Sequence, residues 1–597
     1  MKHPLPQTWD LESIFPGGSS SKVLEDFLGQ LKEEITAFKQ TIEQAVAPQD
    51  ANQVDGIRSW VETMQSIQMK LREAGAFAGC LAAENQNDKK AVLLGGQIKS
   101  LSAQYASTLT YLDQLFLAIP DQAWTLIMQQ EPFSAIEFPL TERRERAKEK
   151  LAPELEALIN ELSIDGYHGW SDSYNTLVSK FRMTVEQNGK QVDLSAGQAY
   201  NKLHTPNNEE RTALMQQWES SWTDLEDYCA DALNHLAGFR LKVYGKRGWE
   251  SIHKEPLDIN RMSEATLKVM WDVIDRNKDV FVEYLDRKAK LMGLEKLAWV
   301  DVEAPLANGA KEVNYDEGAK LIEENFRKFS PKMADFAVHA FENAWIEAED
   351  RAGKRPGGFC TSLPLKQETR IFMTYSGTSN NVGTLAHELG HGYHQFVMND
   401  MPAMAQRYAM NVAETASTFA EMIVSDALVQ QAASKEERIA LLEDKIGRSI
   451  AFFMNIHARF IFETNFYAER EKGYVSVERL NDLMVDAQKV AYKDSLASYH
   501  PHFWAAKLHF YSTGVPFYNF PYTFGYLFSA GIYARAVKEG IAFEDKYAAL
   551  LRDTGSMSVE DLAQKHLGVD LTQADFWQSA VDMAVADVRE FMELTAE

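Results

Sequence analysis

The stretch Asn380-Asn381-Val382-Gly383-Thr384-Leu385-Ala386-His387-Glu388-Leu389-Gly390-His391-Gly392-Tyr393-His394 sets two histidines four residues apart, with a glutamate directly after the first. On a helix, residues four apart share a face, so both imidazoles reach a single ion. Glu388 stands one step round the helix, where its carboxylate approaches an open coordination position instead of the metal. Asn380, Asn381 and Thr384 are the candidates to cap the helix start. Gly390 and Gly392 each cost about 1 kcal/mol relative to alanine inside a helix, so something needs their small size. Close packing of a second ligand-bearing helix is one candidate.

That second helix is expected at Asn411-Val412-Ala413-Glu414-Thr415-Ala416-Ser417-Thr418-Phe419-Ala420-Glu421. Twenty-two residues lie between His391 and Glu414, enough for the first helix to end near Asn399-Asp400-Met401-Pro402, turn and return. Two neutral imidazoles and one carboxylate leave a zinc site positively charged, with a fourth position for water, whose pKa falls to about 7 in such sites. Glu421, two turns beyond Glu414, is read as support for a ligating histidine, with direct ligation as the alternative. His394 is left open between support, substrate contact and core.

Working outward, helical periodicity dominates. Val23, Leu24, Phe27, Leu28, Leu31, Ile35, Phe38 and Ile42 recur at three- and four-residue steps, and similar patterns run through roughly 57–82, 90–118, 142–163, 208–244, 264–292 and 316–348. Strand signals are few. Phe181–Gln187 and Lys190–Leu194 flank Asn188-Gly189, a hairpin signal because both turn positions favour φ > 0. A second strand is expected at Thr369–Tyr375, after the breaker-rich loop Ala352–Gly358, and another loop covers about Pro305 to Gly309. The chain reads as a helical N-terminal lobe over 1–190, followed by a catalytic domain over 191–597.

The 597 residues carry a formal net charge of -25, with 45% hydrophobic and 25% charged residues. Such a surface repels nucleic acid and anionic membranes, so neither is expected as a partner. Cys80, Cys229 and Cys360 are far apart, odd in number and outside any CxxC pair, which argues against a disulfide framework and for a reducing cytoplasm. Met1 to Pro6 holds no apolar signal-peptide core, and no apolar run is long enough to span a bilayer.

HELGHGYH followed by AETASTFAE resembles the oligoendopeptidase F branch of the thimet oligopeptidase-like family of zinc metallopeptidases. The late stretch from Leu508 to Phe528, with its histidine and its run of tyrosines, is similar to that family's substrate-facing segment. The resemblance runs loosely from about residue 200 to the C-terminus, and before that only the helical character matches. It implies a mainly α, zincin-type multi-helical fold, with two lobes around a deep substrate cleft or channel and a small β element beside the active-site helix. It gives one zinc ion to His387, His391 and Glu414, and general acid/base work to Glu388. It also implies that His509, Tyr518 and Tyr522 donate hydrogen bonds to substrate or to the tetrahedral intermediate. The histidine-to-tyrosine spacing is longer here than in better-known relatives, which leaves Tyr526 as a competing candidate.

The activity so implied is a zinc-dependent endopeptidase hydrolysing short oligopeptides by attack of a zinc-bound water activated by Glu388. The peptide is expected to lie along the edge of the Thr369–Tyr375 strand, adding to its ladder. Two other readings are a zinc metallocarboxypeptidase of the helical HExxH type and, from a different class, a helical peptide-binding scaffold with a dead site. Arg355, Cys360 and Arg370 lie near the motif in sequence, with structural roles as the alternative to substrate contact.

Overall fold

The computed structural model describes residues 1, 4–187, 189–306, 312–355 and 357–596. Of the features expected from sequence, Lys2, His3, Asn188, residues 307–309 and Pro356 lie outside them. The protein is mainly α-helical, with one two-stranded and one three-stranded sheet among the described residues. It divides into two compact units, each assembled from three stretches of chain. The first comprises 1–149, 311–427 and 535–568, and the second 150–310, 428–534 and 569–597. The expected boundary near residue 190 follows chain order and falls inside the second unit, because compactness here is set by long-range packing between distant stretches.

In the first unit, the helices Lys22–Gln44, Val54–Glu84 and Lys89–Ala118 pack on one another. The first begins where Ser21 Oγ accepts the Leu24 N–H at 3.2 Å, and it buries Leu24, Leu28, Leu31, Ile35, Phe38 and Ile42 on one face. Each such side chain contributes about 1.5–3 kcal/mol on burial. The same core continues into Leu363 and Phe372 of the three-stranded sheet and into Met404 and Ala405. A buried Glu73 carboxylate accepts the Leu365 N–H at 2.9 Å and ties the second helix to that sheet. The N-terminal helices are therefore the floor on which the sheet rests.

In that sheet Glu368–Phe372 is the middle strand. It runs parallel to Ile346–Glu347, with Ile346 opposite Ile371, and antiparallel to Phe359–Leu363, with Phe359 opposite Phe372. The expectation that a peptide adds to the edge of Thr369–Tyr375 is thereby corrected. Both sides of this strand already carry partners, and an added strand has no ladder left to join. Phe359–Leu363 is an outer strand, paired on one side among the described residues. Arg370 is a structural residue, buried with Nε donating to the Asp10 carbonyl at 2.9 Å and Nη1 paired with Glu368 at 2.8 Å. Arg355 lies with its guanidinium 5.8 Å from the Phe359 ring centroid.

The helix Ser379–Met398 carries the two histidines and packs on both longer strands. Its cap is Thr378, two residues before the first of the expected candidates. Thr378 Oγ1 accepts the Asn381 N–H at 3.3 Å, while Asn381 Oδ1 accepts the N–H groups of Thr378 and Ser376. Asn381 is thus the returning half of a capping box. The chain leaves this helix at Met398 and re-enters helix at Met410–Gln431, as the spacing to Glu414 requires. The two glycines have separate reasons. A Cβ on Gly390 would lie 2.6 Å from Ser417 Cα of the returning helix, whereas one on Gly392 would lie 2.8 Å from Phe336 Cζ of the helix Pro331–Glu342.

In the second unit, Glu264–Leu291, Lys435–Ile450 and Ala574–Leu594 pack together, and Ile456–Arg470 packs on Val477–Ala491 and Glu226–Arg247. The expected hairpin is present as Met183–Gln187 paired with Lys190–Leu194, with Gly189 at φ +74°. No described helix is long and apolar enough to cross a membrane.

The glycine contacts give a first test. Gly390→Ala forces a side chain into the backbone of the returning helix and is expected to cost about 1–3 kcal/mol. Gly447→Ala, in the helix Lys435–Ile450 with no atom within 4 Å of the new methyl, is expected to stabilise by about 0.5–1 kcal/mol. Urea unfolding measures both, and equal effects would contradict the close helix contact.

Candidate metal centre and its proton acceptor

His387 and His391 stand one turn apart, their ring centroids 5.0 Å from each other. The returning helix brings Glu414 to them, with Glu414 Oε2 3.2 Å from His387 Nε2 and 3.6 Å from His391 Nε2. These three residues form the one metal-ligating group found among the described residues, all donor atoms within 4.8 Å of one another. Tetrahedral ligands about 2.0–2.1 Å from zinc lie roughly 3.3 Å apart, so the donor set fits a zinc-sized ion. All three are half-buried, which leaves them reachable.

The surrounding groups prepare the donors. Glu421 Oε2 lies 3.1 Å from His387 Nδ1. A carboxylate only accepts, so it would take a proton held on Nδ1 and leave Nε2, which faces Glu414, for a metal. Glu421 therefore lies against His387 on the side away from Glu414. Ser417 Oγ donates to Glu414 Oε2 at 3.0 Å and restricts that carboxylate. Burial pushes His391 down to about 4, so it is neutral at neutral pH, the form a metal needs. Burial alone would raise Glu414, but its contacts with the His387 and His391 imidazoles and with the Ser417 hydroxyl outweigh it and bring it down to about 2.

Glu388 differs from Glu414. It is buried, and its Oε2 has no hydrogen-bond partner among the described residues. Burial, opposed by His387 and reinforced by the charge of Glu414, pushes it up to about 7. A carboxylate held without a partner at that value is matched to taking up and releasing a proton at neutral pH. Gly358 allows the close approach, because a Cβ there would lie 3.2 Å from Glu388 Oε1 and 3.2 Å from the Phe372 carbonyl oxygen. Gly358 and Ser417 were not singled out from the sequence. The serine three residues after Glu414 was the available signal, whereas the glycine needed the strand pairing.

His394 is a core residue. It is fully buried, its Nε2 2.9 Å from Thr554 Oγ1, and its ring is stacked on Tyr408 at 4.1 Å. Cys360 lies near Glu388, and burial raises its thiol well above the ordinary range.

In the second unit the late segment gathers three of its four candidates. His509 lies 4.8 Å from Tyr518 and 6.2 Å from Tyr522 between ring centroids, and the two tyrosines stack at 5.3 Å. Tyr526 stands apart, its ring stacked on Phe452 at 4.5 Å and its hydroxyl 2.8 Å from Ser449 Oγ. Beneath this cluster, buried Glu463 accepts the Phe517 N–H at 3.3 Å and the Asn519 side-chain amide at 2.8 Å, holding the turn that carries Tyr518.

Comparison with known proteins gives a consistent set of likenesses. The family model described as Peptidase family M3 matches residues 202–583, and one described as Oligopeptidase F matches 116–182. An oligoendopeptidase F homolog of Lactococcus lactis subsp. lactis (strain IL1403) is 22% identical over 589 residues, covering 96% of this chain and 95% of the relative. The oligopeptidase PepF of Bacillus subtilis (strain 168) is 22% identical, covering 98% of this chain and 87% of its own length. Among solved structures, oligoendopeptidase-F from Enterococcus faecium superposes with a TM-score of 0.70 at 18% identity, covering 96% of this chain and 99% of that one. PZ peptidase A with an inhibitor gives 0.74 at 14% identity, covering 95% and 98%.

The Glu421 contact makes a measurable demand. Glu421→Gln keeps the shape of the side chain but removes the charge that orients His387. It is expected to weaken zinc binding about 10–100-fold in chelator competition. An unchanged affinity would contradict the assigned role.

Proposed function

This chain belongs to peptidase family M3, and from that premise we propose that His387, His391 and Glu414 hold one zinc ion, with Glu388 as the proton acceptor for internal cleavage of short peptides. The chain is a metalloendopeptidase of the oligopeptidase type. The observation that carries the residue assignment is the pairing of a compact donor set with a buried, partnerless carboxylate one position along the same helix. A zinc ion bound there supplies a Lewis acid for the scissile carbonyl and acidifies water.

The protein's own groups then divide the work. Glu421 keeps the His387 ring oriented and its Nδ1 protonated. Glu388 takes the proton from the attacking water at Oε2 and passes it to the leaving nitrogen, so that one carboxyl serves first as base and then as acid. His509, Tyr518 and Tyr522 donate to the substrate and to the oxygen on which negative charge develops. Tyr526 is set aside because its hydroxyl is already engaged by Ser449. An extended peptide adds to the sheet at the outer strand Phe359–Leu363, whose other side is already paired. Three unpaired cysteines suit a reducing, cytoplasmic setting.

Glu388→Gln is expected to abolish hydrolysis of a peptide blocked at both ends while the protein keeps a full complement of zinc. Turnover near that of the wild type would sink the assignment. Tyr522→Phe is expected to lower kcat about 10²–10³-fold with little change in KM, as for loss of a donor specific to the transition state. A rise confined to KM would make Tyr522 a binding residue. Cleavage restricted to the C-terminal residue, and lost on blocking it, would favour the metallocarboxypeptidase alternative.

A further inference from the structure

Two cations beside the His509 cluster lack the partners that cations in this chain ordinarily have. Lys507, two residues before His509, is half-buried, yet its ammonium makes no hydrogen bond or ion pair among the described residues. It rests on aromatic faces alone, 5.3 Å from the Tyr200 ring centroid and 5.5 Å from that of Phe503. Arg459 approaches the same Phe503 ring at 5.4 Å. Its hydrogen bonds go to one neutral acceptor, Asn455 Oδ1, at 2.9 Å from Nε and 2.6 Å from Nη2.

A shortage of carboxylates does not explain this, because the chain has 86 Asp and Glu residues against 61 Lys and Arg. Glu303 is close enough for its charge to act on both cations. It is nevertheless engaged elsewhere, accepting from the Tyr200 hydroxyl at 3.0 Å and paired with His204 Nε2 at 3.1 Å. Both cations lie close enough to His509 for their charge to act on it. Burial and then the positive charges of Arg459 and Lys507 bring His509 down to about 4, and Arg459 also interacts with Tyr522. Burial and the charge of Arg459 bring Lys507 down to about 8, so it is mostly protonated at neutral pH. Neither half-buried cation has a carboxylate partner among the described residues, so an incoming anion would complete both.

We infer that Arg459 and Lys507 form a carboxylate-binding subsite for the peptide substrate, beside the His509 and Tyr522 donors. The inference rests on the reading that this cluster faces substrate. It makes the enzyme selective for peptides that carry a carboxylate. That carboxylate is either the peptide's own C-terminus or an acidic side chain.

Four peptides of one sequence test it, with the C-terminus as acid or amide and one internal residue as Asp or Asn. With the zinc-loaded wild type, removing the recognised carboxylate is expected to raise KM about ten-fold or more. Amidation having that effect identifies the terminus, and Asp→Asn having it identifies a side chain. Lys507→Met, and separately Arg459→Gln, are expected to erase the discrimination, so that KM no longer differs between the charged and the neutral peptide. If no carboxylate changes KM in the wild type, or if Lys507→Met discriminates as well as the wild type, the inference is overturned. Calorimetry of the same peptides with the Glu388→Gln protein reads the preference in Kd without turnover. A protein that cleaves nothing yet prefers the carboxylate would therefore defeat the peptidase reading and leave the subsite standing.

Discussion

The close contact between the helices Ser379–Met398 and Met410–Gln431 is the constraint on which the candidate centre depends. HExxH by itself supplies two imidazoles and a carboxylate on one helix. The third ligand has to come from elsewhere in the chain and arrive within about 4 Å of both imidazoles. Gly390 permits that by letting the backbone at Ala416 and Ser417 lie where a side chain would otherwise be. The same segment of the returning helix then presents Glu414 to the histidines, Ser417 to Glu414, and Glu421 to His387. One small residue thus determines whether three separate polar contacts form together.

Around this contact the unit is organised to hold carboxylates in different states. Glu414 and Glu421 face imidazoles and sit where negative charge is compensated. Glu388, one residue from His387, is buried without a partner. Its neighbours include the tight approach at Gly358 and the sheet that the motif helix covers. The N-terminal helices contribute indirectly, because their core runs on into Leu363 and Phe372 and fixes the strands against which Glu388 is placed. Burial raises both carboxylates, and the imidazole and Ser417 contacts of Glu414, which Glu388 lacks among the described residues, are what separate the two.

Much of this was legible in the sequence because it is local. Helical spacing placed His387, His391 and Glu388, and the chain length between His391 and Glu414 allowed the turn and return. The grouping of His509, Tyr518 and Tyr522 followed from the family likeness of the late segment, and in the structure these rings meet. What escaped depends on tertiary pairing. A β-branched and aromatic run such as Thr369–Tyr375 reads the same whether it lies in the middle or at the edge of a sheet, so its two partners could not be foreseen. Thr378 was passed over as cap because the Asn pair that follows looks equally suited, and only the reciprocal bond from Asn381 distinguishes them. Gly392 answers to Phe336, a residue more than fifty positions earlier, and no spacing rule would find it.

In the proposed function one metal centre, built by two packed helices, performs the chemistry. X-ray diffraction recorded on either side of the zinc absorption edge, from protein purified without added metal, tests it most directly. A single anomalous peak is expected, bounded by Nε2 of His387, Nε2 of His391 and the carboxylate of Glu414. A peak at any other group of side chains, or no peak in protein that still cleaves a doubly blocked peptide, would contradict it.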